Sequence, residues 1–149
     1  MKLETKNDTT LRLAHRYTAP LERVWNAWTN PGVMSRWMAP SPDMPCHVTA
    51  DVRVGGRYRI EMKNAMEGKD YIAVGTYEEV VPSRLLVFNW SWEGDAALAE
   101  NTRVTVEFEA KGGGTEVTLT HERFAGAEQR DKHGEGWTGC LTRLEEALA

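Results

Sequence analysis

From Cys46 to His121 this chain is a succession of short segments of alternating apolar and polar residues, separated by turn residues, with no helical stretch between them. That run constrains the fold more than any other feature. Alternation with period two places every second side chain on one face of a strand. Strands joined without crossover helices pair antiparallel, so the run predicts an antiparallel sheet with one apolar face. CHVTADV (46–52) and RYRIEM (57–62) flank a Gly55-Gly56 turn, and the second puts Tyr58, Ile60 and Met62 on one side. YIAVGTYEEVV (71–81) passes through Pro82-Ser83 into LLVFNWSW (85–92), whose Leu86, Phe88, Trp90 and Trp92 share a face. TRVTVEFEA (102–110) turns at KGGG into TEVTLTH (115–121), which presents Val117, Leu119 and His121 together. An earlier strand, LRLAHRY (11–17), aligns Leu11, Leu13, His15 and Tyr17.

An apolar sheet face needs a cover. Pro20 starts a helix with Leu21, Val24, Trp25 and Trp28 at helical spacing, and Asn30-Pro31 starts a second short one over 31–38, with Met34 and Trp37 inward. Pro40, Pro42 and Pro45 end it. From near Gly126 onward the chain predicts one helix of about 20 residues, roughly 30 Å long, with Trp137, Leu141, Leu144 and Leu148 as its stripe. Gly134, Gly136 and Gly139 lie inside this helix, where each costs about 0.5–1 kcal/mol against Ala. At about 100° per residue, Gly134 falls about 20° from Leu141, on the inward stripe, while Gly136 and Gly139 fall off it. Gly134 is therefore the glycine whose missing side chain either lets the helix press closely on the sheet or leaves space for a ligand beside Trp137.

The fold class is α+β: one domain over residues 1–149, with about six to seven antiparallel strands curved around a long C-terminal helix and two short helices after the first strand. Such a sheet under one long helix tends to leave a cavity between them. The aromatic and apolar residues facing it make the candidate ligand-binding set Trp37, Tyr58, Ile60, Met62, Trp90, Trp92, His121, Phe124, Gly134, Trp137 and Leu141.

A net charge of −4 gives no general attraction to nucleic acid or an anionic membrane. MKLETKNDTT has no apolar core of signal-peptide length, and no run reaches the roughly 18 apolar residues of a membrane span, so a cytoplasmic protein is expected. Two distant cysteines and scattered histidines offer no metal site, and no cofactor is expected. No nucleophile elbow, phosphate loop or dinucleotide fingerprint is present.

Four stretches carry a family resemblance: APLERVWNAWTNPGVMSRWMAP, DVRVGGRYRIEM, GTYEEVVPSRLLVFNW and HGEGWTGCLTRLEEAL. Together they resemble the bacterial single-domain relatives of the activator of the ninety-kilodalton heat-shock chaperone ATPase. These sit in the START-like (SRPBCC), helix-grip superfamily, with polyketide cyclases and lipid-transfer domains. His15 stands where these relatives often carry Arg. The resemblance implies a helix-grip fold with a cavity, and three functional expectations follow. The first is noncatalytic binding of a small hydrophobic or aromatic molecule by a monomer or homodimer. The second is a cyclase-like or aromatase-like enzyme in which His121 or Tyr58 moves protons. The third, from the family name alone, is a chaperone partner.

Overall fold

The computed structural model describes residues 1–149. Its elements, in chain order, are β1 (Lys2–Asn7), β2 (Thr10–Tyr17), α1 (Leu21–Thr29), α2 (Pro31–Met34), β3 (Cys46–Ala50), β4 (Arg57–Asn64), β5 (Lys69–Val81), β6 (Leu85–Trp92), β7 (Thr102–Lys111), β8 (Gly114–Glu122) and α3 (Ala127–Ala147). The strands form one sheet in the order β1-β2-β8-β7-β6-β5-β4-β3, and every neighbouring pair is antiparallel. Consecutive hairpins from β3 to β8 account for most of this order. The one long-range join is β2 against β8, with Leu11 opposite His121 and Leu13 opposite Leu119.

The sheet has eight strands rather than six or seven. The additional strand, β1, carries a single apolar residue, Leu3, among charged and polar ones. Its pairing with β2, Leu3 opposite Leu13, creates a strand that periodicity alone does not mark. The short second helix is also briefer than expected: α2 spans four residues and gives way to turns at Ser35. Asn30 caps it as the sequence implied, its Oδ1 accepting from the Gly32 and Val33 amides at 2.9 and 3.4 Å.

The core lies between the sheet's inner face and the helices, and it includes Leu11, Leu13, Ile60, Leu86, Leu119, Leu141 and Leu144, all essentially buried. Two local features shape the half of the sheet that matters for the site. A register shift between Tyr77 and Glu79 marks a bulge in β5, which bends the strand. At Gly75, paired with Tyr58, the missing side chain lets the Tyr58 hydroxyl reach past β5 and donate to the Asn89 carbonyl on β6 at 2.6 Å. A methyl group at 75 would collide with both partners.

Helix α3 lies over the sheet with one flank pressed against β1 and β2. Gly134 faces Leu3 and Leu11, to which an added Cβ would stand at 3.8 Å, and Tyr17 Oη donates to the Leu141 carbonyl at 2.9 Å. No helix is long and apolar enough to cross a membrane.

Candidate functional site

The opposite flank of α3 stands away from β4–β6, leaving a cleft of about 240 Å³. Its floor comes from the alternation of three strands: Met62 on β4, Tyr71 on β5, and Trp90 and Trp92 on β6. Met62 is paired with Tyr71, which places them side by side on one face. The helix contributes Lys132, His133, Gly136, Trp137 and Cys140. A third wall is the segment after α2, through Met38, Pro40 and Met44. Asn64, Glu67 and Leu98 complete the lining.

The third wall is held by its backbone. Arg143 on α3 donates to the carbonyls of Ala39, Ser41 and Arg36 at 2.9, 3.2 and 3.1 Å. Gly139 fits against Pro40 because it has no side chain; a Cβ there would lie 2.9 Å from Pro40 Cα. From the sheet side, the Cys46 thiol donates to the Met38 carbonyl at 3.3 Å.

Behind the aromatic floor two histidines join α3 to the sheet. Trp137 Nε1 donates to His121 Nδ1 at 3.0 Å. An indole nitrogen can only donate, so the His121 proton sits on Nε2, which faces Thr102 Oγ1 at 2.8 Å. That hydroxyl in turn donates to the Trp90 carbonyl at 2.7 Å. His133 has the other tautomer. Trp92 Nε1 donates to its Nε2 at 2.8 Å, so its Nδ1 proton goes to the Gln129 carbonyl at 2.7 Å. Both imidazoles are held below the usual histidine range. Burial is the main cause in each, reinforced at His121 by the neighbouring His133 and opposed at His133 by the Gln129 carbonyl. Their ring centroids are 5.1 Å apart, and Phe124 packs on both, at 4.3 and 4.8 Å.

The eleven residues expected to face a ligand therefore divide. Met62, Trp90, Trp92 and Trp137 line the cleft. His121 and Phe124 are buried behind its wall. Tyr58 and Ile60 border a separate, much smaller gap deeper in the core. Trp37 is fully buried against Trp28, its indole donating to the Ala27 carbonyl at 3.0 Å. Leu141 and Gly134 lie on the flank of α3 that faces β1 and β2, and Gly136 takes the place at the cleft wall expected for Gly134. The apolar stripe of α3 is wide enough to have two flanks, and the pattern of apolar residues does not say which one is covered.

The candidate ligand-binding set does not include Met38, Pro40, Met44, Tyr71, His133, Gly136 and Cys140, which line the cleft. The α3 residues were recoverable from helical phase, since His133, Gly136 and Cys140 lie on the side of Trp137 away from Gly134 and Leu141. The Pro-rich segment carried no periodic signal at all.

An antiparallel sheet gripping one long C-terminal helix, with open space along one flank of that helix, defines a helix-grip protein of the START-like class. Residues 18–149 match the family model of the activator of Hsp90 ATPase homolog 1-like proteins, and the chain belongs to that family. No curated protein matches the chain in sequence. Among solved structures, a protein of Chromobacterium violaceum is 25% identical with a TM-score of 0.82, the match covering 94% of this chain and 96% of that one. A protein of Arthrobacter aurescens, 21% identical, superposes with a TM-score of 0.86 over 99% of this chain and 91% of its own. An AHSA1-like protein of Aeromonas hydrophila is 24% identical with a TM-score of 0.73, covering 92% of this chain and 91% of that one. The last two likenesses bear on the fold alone.

Proposed function

We propose that this protein binds, without chemical conversion, a small hydrophobic or aromatic molecule in the cleft between β4–β6 and α3. The observation that carries this reading is an open space of about 240 Å³ lined by Trp90, Trp92, Trp137 and Met62 among others. An apolar cavity of about 150 Å³ takes up a benzene, so this volume suits a molecule of one to two rings. Indole faces supply offset and edge-on ring contacts, and burial of apolar surface drives association.

The state of the polar groups favours binding over catalysis. Both ring nitrogens of His121 and of His133 are engaged, and their tautomers are fixed by indole donors. The Tyr58 hydroxyl donates to Asn89, is buried, and is held well above the usual phenol range by burial, with Tyr77 adding to it. The Cys140 thiol at the cleft wall is pushed up by burial as well, away from the reactive thiolate. A chaperone partner rests on the family's description alone.

The test is a titration with naphthol, followed by tryptophan fluorescence, on the wild-type protein and on Gly136→Phe, which fills the cleft from its helical wall. At roughly 0.5 kcal/mol per heavy atom, naphthol binds with Kd on the order of 0.1 mM. Saturable binding that disappears in Gly136→Phe is expected. Equal binding by both proteins would place the ligand elsewhere and end this reading.

A further inference from the structure

Below the cleft lies a second apolar gap of about 10 Å³, bordered by Trp28, Met34, Tyr58, Ile60, Tyr77 and Phe88. Met38 lines both spaces and is the partition between them. Its main chain is fixed: the amide donates to the Met34 carbonyl at 3.0 Å, and the carbonyl accepts from Cys46. Arg143 ties down the residues on either side. The Met38 side chain makes no polar bond, and an unbranched thioether with three rotatable bonds is the most adaptable of the large apolar side chains. The partition is thus a deformable side chain on an immobilised backbone. The gap alone holds at most about one water, so it admits a ligand only when Met38 turns aside and adds its own volume.

Trp28, which borders the gap, is 1% exposed, and its indole N–H is buried without a partner. Buried donors are nearly always satisfied, and this one, on a residue that borders the gap, calls for an acceptor, as does the equally unpartnered Trp90 Nε1 on the cleft side. We propose that Met38 sets the depth of the cleft: an elongated apolar ligand with a hydrogen-bond acceptor at its buried end displaces the thioether, enters the inner gap and accepts from Trp28 Nε1. This deepens the binding reading and rests on it. It selects flexible, carbonyl-ended molecules over flat aromatic ones of equal size, because only a narrow terminal group passes Met38.

The experiment measures calorimetric affinities for methyl ketones from butanone to decanone, with decane as a control, on wild type, Met38→Ala and Met38→Leu. Met38→Ala opens the partition. Met38→Leu conserves volume but replaces the flexible chain with a branched one that turns aside less readily. Relative to butanone in the same protein, decanone is expected to tighten about tenfold in Met38→Ala and to weaken about tenfold in Met38→Leu. Decane should bind the wild type more weakly than decanone. The same dependence on chain length in all three proteins, or decane binding as tightly as decanone, would overturn the proposal while leaving the cleft as a binding site. If the wild type bound neither butanone nor naphthol, the binding reading would fall and this inference with it.

Discussion

Gly136 and Gly139 sit three residues apart on α3, and replacing by Ala should stabilise at 136 but not at 139. Either substitution relieves the helix of a Gly, a gain of about 0.8–1 kcal/mol. At 136 an added Cβ meets nothing within 4 Å, so nothing offsets that gain. At 139 the Cβ would stand 2.9 Å from Pro40 Cα and 3.0 Å from Pro40 C, and closer still to its carbonyl oxygen. Carbon atoms prefer separations of about 3.5–4.0 Å, so α3 and the Pro40 segment must part by about 0.5–1 Å. The three Arg143 bonds hold that segment where it is. Overpacking of this kind costs about 1–3 kcal/mol, which cancels or exceeds the helical gain. The two variants should therefore differ by about 1–3 kcal/mol, or roughly 2–10 °C in Tm for a chain of this size. Urea unfolding provides the assay, with an unchanged m-value as the sign that only stability has moved. If Gly139→Ala proved as stable as Gly136→Ala, the close fit of α3 against Pro40 would be wrong.

Acid should loosen the histidine wall. The folded pKa of His121 and of His133 lies below the unfolded value of about 6.5, so the unfolded chain binds more protons in that window. Their contribution to stability is complete above about pH 6.5 and is lost as pH falls towards the folded values; His133→Gln should flatten the fall in urea midpoints between about pH 7 and pH 5. Tyr17→Phe removes the buried bond to the Leu141 carbonyl and should cost about 0.5–1.5 kcal/mol by urea titration without affecting naphthol binding.

The sheet was legible because each strand from β3 to β8 buries one face, and burial of one face writes period two into the residues: Tyr58, Ile60 and Met62, or Leu86, Phe88 and Trp90. Where an element owes its existence to a partner rather than to its own pattern, the signal vanished. Leu3 is the one apolar residue of β1, and no periodicity can be read from one residue. The site was half legible for a related reason. Trp90, Trp92, Trp137 and Met62 face inward by pattern, but inward residues either fill space or border it, and packing distances decide between the two. Trp37 and Trp90 have similar sequence credentials. Trp37 closes on Trp28 with ring centroids 4.7 Å apart in the core, and Trp90 borders open space. The glycines of α3 follow the same rule. Helical phase ranked them by distance from the stripe, yet their roles depend on what lies opposite: two leucines for Gly134, open space for Gly136, and the Pro40 backbone for Gly139.

If ligands bind at all, the open flank of α3 is where they should sit. Intermolecular nuclear Overhauser effects between bound naphthol and the protein test this placement most directly. Contacts are expected to the indole protons of Trp90, Trp92 and Trp137 and to the Met62 methyl group, with none to Leu3 or Leu11. Saturable binding whose contacts fall on the β1–β2 side of α3, or on the outer face of the sheet, would contradict it.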